Sequence, residues 1–274
     1  MRLRYLGTAA AEGIPAVFCR CPVCAEARRL GGRDLRTRSQ AIVNDDLLID
    51  LPPDTYAHYL AYGFDLPGIT ELLVTHSHTD HFYATELEMR CSPLAHPEPP
   101  VMRIYCNEAV EAKFHRSMPP KHNVEKNFSI VRARPFVPLA IRDYSVVPLL
   151  ARHDRAEECL LYLISSGGKT LLYGNDTGLF PDSTFDYIER SGARIDLASF
   201  DCTAMGQRDG KNHMGLADVA EARERLTRIG ALGAGAACVI THFSHNGRLT
   251  RPQLEEAAAK EGFLVAYDGL SLEL

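Results

Sequence analysis

Residues 76–81 read His-Ser-His-Thr-Asp-His, four potential metal ligands within six residues, directly after the apolar run 72–75. In an extended or tightly turning loop, His76 and His78 can point to one side. Asp80 and His81, one turn on, can point to an adjacent position. That spacing suits two neighbouring cations instead of one. Imidazoles mixed with a carboxylate favour zinc, manganese or iron.

A second cluster, Phe-Cys-Arg-Cys-Pro-Val-Cys, occupies residues 18–24. Its C-x-C-x-x-C spacing brings Cys19, Cys21 and Cys24 within reach of one cation. Three thiolates need a fourth ligand to close a tetrahedral zinc. No cysteine follows nearby, and His245, in Thr-His-Phe-Ser-His (241–245), is the best candidate.

These side chains need a rigid frame. Strands are expected over about 2–6, 40–50 (a pair turning at Asn44-Asp45-Asp46), 71–75, 101–106, 128–134, 144–150, 159–165, 170–174, 195–200, 237–241 and 263–266. Helices are expected after Asp54 to about Tyr62, after Asn107 toward His115, from Asp182 to about Arg190, over 216–229 and over 252–260. Residues 8–38 read as a loop carrying the first cysteine cluster, and 117–127 as an excursion rich in Pro, Lys and Asn. Strands outnumber helices early and helices interleave throughout, which predicts two mixed sheets with helices packed outside. Loops at one edge of such a sandwich would collect the polar motifs.

Composition is that of an ordinary globular chain: 274 residues, 46% hydrophobic, 24% charged and a net charge of −5. No global basic field invites nucleic acid. Arg28, Arg29, Arg33, Arg36 and Arg38 cluster locally and read as a solvated face. Nothing at the N-terminus reads as a signal peptide and no run is long enough to span a bilayer, so a cytoplasmic location with reduced thiols is expected.

The His-x-His-x-Asp-His pattern resembles the signature of the metallo-β-lactamase superfamily. The resemblance implies a four-layer αββα sandwich, here a single domain over 1–274. It also implies a third histidine, a bridging aspartate and a last histidine, each at the end of a strand. His153 in Ala-Arg-His-Asp, Asp176 in Asn-Asp-Thr-Gly and His242 in Val-Ile-Thr-His stand in that order and context. The implied assignment puts His76, His78 and His153 on one divalent metal and Asp80, His81 and His242 on the other, with Asp176 bridging. Two such metals can clamp a hydroxide, lower its pKa toward neutrality and stabilise the developing oxyanion. Hydrolysis then needs no protein nucleophile. Oxygen-reducing diiron relatives carry Glu where this chain has His78.

The cysteine cluster narrows the resemblance to the PhnP-type phosphodiesterases. Matching stretches are Leu-Gly-Thr-Ala-Ala-Ala-Glu-Gly-Ile-Pro-Ala (6–16), the three cysteines, residues 76–81, Asn-Asp-Thr-Gly (175–178), Lys-Asn-His-Met (211–214), residues 241–245 and Tyr-Asp-Gly (267–269). This implies a structural zinc on Cys19, Cys21, Cys24 and His245, manganese or zinc in the active site, and His213 as general acid protonating a leaving alkoxide. The expected substrate is a small phosphodiester, cyclic ones included. No membrane or nucleic-acid partner is expected, and a homodimer is compatible with the resemblance. The segment 114–128 departs from the family pattern; it could shape a pocket or an oligomer contact, although its His115 and His122 read as surface residues by default. His58 and His96 also read as surface residues, and Cys91, Cys106, Cys159, Cys202 and Cys238 as buried small hydrophobes.

Competing readings use the same metals on a thioester, lactone or amide. A transfer-RNA 3′-processing nuclease would want a basic arm that this sequence lacks. The three-cysteine site also resembles that of the pyrroloquinoline quinone biosynthesis protein, a non-hydrolytic alternative. A regulatory protein that has kept its ligands is the last, with His213 arguing against it.

Overall fold

The computed structural model describes residues 1–118 and 124–274. Pro119, Pro120, Lys121 and His122 therefore lie outside the described residues.

The first sheet is built from β1 (Arg2–Gly7), β2 (Gln40–Val43), β3 (Leu47–Ile49), β4 (Glu71–Leu73), β5 (Met102–Cys106) and β6 (Phe128–Arg132). The second is built from β7 (Leu139–Ile141), β8 (Tyr144–Leu150), β9 (Leu160–Ser166), β10 (Lys169–Gly174), β11 (Ile195–Asp201), β12 (Leu232–Thr241) and β13 (Leu264–Val265). The last strand, β14 (Ser271–Glu273), returns to the first sheet beside β1. The strand orders are β14-β1-β2-β3-β4-β5-β6 and β13-β12-β11-β10-β9-β8-β7. Pairing is parallel from β3 to β6 and from β10 to β13, and antiparallel elsewhere.

Alternation along the strands divides the apolar residues between layers. Leu73 of β4 and Leu171 and Tyr173 of β10 point between the sheets, together with Tyr5, Tyr105 and Tyr162. Their neighbours Leu72 and Leu172 point outward. The outer face of the first sheet is covered by α2 (Thr55–Tyr62) and α3 (Glu108–Ser117), through Tyr59, Val110 and Phe114. The outer face of the second is covered by α1 (Pro22–Leu30), α5 (Asp182–Ser191), α6 (Leu216–Arg228) and α7 (Arg251–Lys260), through Val23, Phe185, Val219 and Leu254. A short α4 (Val124–Asn127) precedes β6. The result is an αββα sandwich. Both faces of the central strands, such as β2, β3 and β4, are buried, which is why they read as apolar runs.

Local signals account for most boundaries. Asn44 and Asp45 adopt φ of +49° and +63°, the left-handed pair at the centre of the turn between β2 and β3, which the Asp46 amide closes by donating to the Val43 carbonyl at 3.1 Å. Asn107 caps α3 by accepting from the Val110 amide at 2.9 Å. Four elements depart from expectation, among them α4, which lies in the segment expected to be an excursion loop. α1 lies inside the segment expected to be loop, with Pro22 opening it and Val23, Cys24 and Ala27 on its buried face. β7 and β14 are three-residue edge strands, too short to give a periodic signal. The five clustered arginines do not share one solvated face. Arg36 is buried over the Phe243 ring and Arg38 pairs with Asp54 at 3.0 Å. Among the described residues, no helix is long and apolar enough to cross a membrane.

The C-terminal ends of β4, β8, β10, β11 and β12 lie at one edge of the sandwich. His76, His153, Asp176, Thr203 and His242 each follow one of these ends by a few residues.

Candidate metal centre

Among the described residues the structure brings the expected ligands together in two overlapping groups, and Asp176, Asp201, His213 and His242, as well as His78, Asp154 and Glu157, form further groups that overlap them. Ligand atoms of His76, His78, His153 and Asp176 lie within 4.8 Å of one another, and so do those of Asp80, His81, Asp176 and His242. Asp176 belongs to both. Its Oδ2 is 3.3 Å from His76 Nε2 and 3.1 Å from His81 Nε2. Asp176 and His242 adopt left-handed φ of +51° and +63°, a conformation that non-glycine residues keep only when their surroundings hold it.

Hydrogen bonding at the far ring nitrogens fixes which nitrogen of each imidazole faces inward. His81 Nδ1 donates to Asp50 Oδ2 at 2.7 Å, leaving a lone pair on Nε2. His242 Nδ1 meets Thr203 Oγ1 at 2.8 Å and Asp201 Oδ2 at 3.3 Å, leaving a lone pair on its own Nε2. These two Nε2 atoms stand 3.2 Å apart. Likewise His78 Nε2 faces Asp154 at 3.2 Å and His153 Nδ1 faces the Asn212 carbonyl at 3.2 Å. Their remaining nitrogens, His78 Nδ1 and His153 Nε2, converge to 3.1 Å. Lone pairs that face each other at such distances repel unless a positive charge lies between them. The residues therefore fit a cation in each group. Two further atoms agree: His76 Nε2 and Asp176 Oδ1 are buried and make no hydrogen bond.

Charge in the cluster is tightly coupled. Burial pushes the Asp176 carboxyl up, but His242, His213, His76 and His81 outweigh it and hold it well below the usual carboxylate range. Burial pulls His76 down to about 3, helped by the charge of His81. Burial also opposes the charge on His81, yet Asp80 and Asp50 raise it well above an ordinary histidine, so a cation at Nε2 would take the place of a proton there.

A cleft of about 590 Å³ opens over the centre, lined by Asp80, His153, Asp176, His213 and His242. His213 Nδ1 is 3.1 Å from Asp176 Oδ1 and 3.6 Å from Asp201 Oδ2. Burial would lower its pKa, but the two carboxylates raise it to about 11. Gly178 is required by packing here, since a Cβ would sit 2.1 Å from the Lys211 carbonyl oxygen. That close approach presses the turn bearing Asp176 against the segment leading to His213.

Cys19, Cys21, Cys24 and His245 form a second group, with ligand atoms within 4.8 Å of one another. His245 Nδ1 is 3.6 Å from Cys19 Sγ and 3.5 Å from Cys21 Sγ. Ligands on a tetrahedral zinc stand about 3.3–3.8 Å apart, so the donors suit that ion. Its outer nitrogen Nε2 faces Glu12 at 3.6 Å, and Glu12 accepts from Ser244.

Asp50, Asp201 and Thr203, which orient the imidazoles, were not expected to take part. Each is a single polar residue at a strand end, with no spacing to mark it. Glu157 is a further such residue: it accepts from the Ser77 amide at 3.1 Å and from its hydroxyl at 2.6 Å, ordering the ligand loop. His58, expected at the surface, is buried. Its Nδ1 and Nε2 bond Gln40 at 2.6 Å and Thr37 at 2.7 Å, partners that come from distant segments. His96 is exposed, and Cys91, Cys106, Cys159, Cys202 and Cys238 are buried, as expected.

Comparison with known proteins gives three findings. The family model described as "Beta-lactamase superfamily domain" matches residues 46–243. Coenzyme PQQ synthesis protein B from Methylobacterium sp. (strain 4-46) is 27% identical, with 100% of both chains covered. Among solved structures, a diphosphatase from the PhnP family superposes with a TM-score of 0.75 at 22% identity, covering 100% of this chain and 97% of that one. Zinc-bound PqqB from Methylobacterium extorquens superposes with a TM-score of 0.71 at 18% identity, covering 100% of both. At these identities the two structures speak for the fold.

Proposed function

The chain belongs to the metallo-β-lactamase superfamily, and on that footing we propose that it is a metal-dependent phosphodiesterase acting on a small, open or cyclic diester. The observation that carries this reading is the position of His213. It lines the same cleft as the ligand groups without being needed to complete either of them.

In this reading His76, His78 and His153 hold one divalent cation, Asp80, His81 and His242 hold a second, and Asp176 serves both. Manganese or zinc suits these donors. Zinc suits Cys19, Cys21, Cys24 and His245. When bound, the two cations would activate water and neutralise charge on the diester. The protein's own part is orientation and proton transfer. Asp50, Asp154 and the Asp201–Thr203 pair hold the imidazoles in the ligating tautomer. Asp176 and Asp201 face His213 Nδ1 and favour the protonated ring, whose other nitrogen, Nε2, would give its proton to the leaving oxygen as the P–O bond breaks. An alkoxide leaving group needs that proton.

The cleft wall also favours a polar substrate. Among the described residues its apolar lining consists of Ala10, Ala11, Ala204 and Gly247, with no large hydrophobic side chain to seat an acyl chain. Residues 1–274 act as a single domain in this account, a reading supported by the return of β14 to the side of β1.

A second reading has its own support, the full-length similarity to a protein named for coenzyme PQQ synthesis. There the same ligands would serve a cofactor-biosynthetic step. Parallel turnover of bis-p-nitrophenyl phosphate, a thioester and a lactone, each with manganese and with zinc, separates the possibilities. Preferential diester cleavage supports the proposal. Fast thioester or lactone cleavage without diester cleavage replaces it with a carbonyl hydrolase, and no hydrolysis of any of the three favours the second reading.

A further inference from the structure

Two stretches have no part in the chemistry above: the one containing Thr37 and Gln40, and Tyr267-Asp268-Gly269. They meet in a chain of hydrogen bonds that ends at the metal centre. Asp268 Oδ2 accepts from the Thr37 amide at 2.6 Å, and the Thr37 hydroxyl oxygen lies 2.6 Å from the same carboxylate oxygen. Thr37 Oγ1 lies 2.7 Å from His58 Nε2, and His58 Nδ1 lies 2.6 Å from Gln40 Oε1. Gln40 Nε2 donates to the Asp50 carbonyl at 2.9 Å and to Thr55 Oγ1 at 3.1 Å.

The direction of this chain follows from its acceptors. The Asp50 carbonyl can only accept, and the Thr55 hydroxyl proton goes to the Pro52 carbonyl at 2.7 Å. The Gln40 amide must therefore turn its NH2 toward them and its oxygen toward His58, which donates from Nδ1 and, as a neutral ring, accepts at Nε2 from the Thr37 hydroxyl. Gln40, His58 and Asp50 are all buried, so water does not substitute for these bonds. Asp50 itself adopts φ of +65°, a conformation that a non-glycine residue keeps only when its surroundings hold it. Its carboxylate accepts from the Thr75 amide at 2.8 Å and from His81 Nδ1 at 2.7 Å.

We propose that Gln40 and His58 are positioning residues of the metal centre, holding the left-handed backbone of Asp50 and so aiming His81 Nε2 at its cation. The inference rests on cation binding at His81 and His242 and is independent of whether the substrate is a diester.

The test is the affinity of the active-site group for manganese, measured by chelator competition beside thermal stability and the zinc content of the cysteine group. Gln40→Met keeps the volume and removes the donor to Asp50. His58→Leu removes the donor to Gln40, and His58→Asn keeps an N–H near the Nδ1 position. Gln40→Met and His58→Leu are expected to weaken manganese binding by about 10–100-fold, with His58→Asn restoring most of it and zinc unchanged. Unchanged manganese affinity in folded Gln40→Met overturns the proposal, whatever its melting temperature. If that variant does not fold, equal affinities for His58→Leu and His58→Asn overturn it. Wild-type protein that binds no manganese or zinc at the active-site group removes the metal-centre reading as well, so the two failures are distinct.

Discussion

The Nδ1 atom of His213 lies 3.1 Å from Oδ1 of Asp176, the carboxylate that both ligand groups share. One residue of the centre thus touches both sets of ligands and the proposed proton donor.

The size of the His213 effect should depend on the leaving group. A general acid is worth about 10²–10⁴-fold where the leaving oxygen is basic, and little where it is a good leaving group. His213→Ala is expected to lose about 10²–10³-fold in kcat on a diester that expels an alkoxide, and markedly less on one that expels p-nitrophenolate. Both active-site metals should remain bound. Full activity on the alkoxide-leaving diester, with metals retained, would remove His213 from the reaction.

Asp176→Asn tests the shared ligand. The change keeps the size of a buried side chain and removes its charge. Because both groups draw on this carboxylate, manganese affinity should fall at both positions by more than the roughly 10–100-fold that an outer partner costs. Metal analysis after gel filtration should find zinc at the cysteines and less than one equivalent elsewhere. Two retained equivalents would speak against a shared ligand.

The cysteine group should hold its zinc when chelators strip the active site, because three thiolates and an imidazole close the coordination shell. Cys24→Ser is expected to lose that zinc and lower the melting temperature. Diester turnover should also fall, since His245 stands three residues after His242 in the same segment. Protein purified under reducing conditions without zinc would contradict the four-ligand assignment.

His58 gives stability a pH dependence. Burial pulls its pKa down to about 4, only partly offset by Asp54, whereas the unfolded chain titrates near 6.5. Between those values the unfolded state holds more protons, so stability falls as pH drops through that window. The full traverse amounts to on the order of 3 kcal/mol. Melting temperature plotted from pH 7 to 5 should fall less steeply for His58→Asn than for wild type. Parallel curves would mean that His58 does not titrate as its burial implies.

The candidate metal ligands are legible in the sequence where they are dense. His76, His78, Asp80 and His81 announce themselves by spacing, and His153, Asp176 and His242 by order at strand ends. The residues that orient them were not legible. Asp50 and Asp201 are single carboxylates whose roles depend on strands pairing across the sheet, and no local pattern records that. His58 was misread for the same reason: a lone histidine on a helix resembles a surface residue until Gln40, on a neighbouring strand, is placed against it. The sandwich was readable from apolar runs and turn residues. Helix α1 was not, because Cys21-Pro22 looks like a loop although proline opens the helix there.

The central claim, that two cations on these side chains drive diester hydrolysis, is tested most directly by metal add-back. Protein stripped of active-site metal is titrated with manganese while bis-p-nitrophenyl phosphate cleavage is followed and the zinc content is monitored. The account predicts little activity at the first equivalent, full activity at the second, and zinc constant throughout. Maximal activity at one equivalent, or none at any while a thioester is cleaved rapidly, would contradict it.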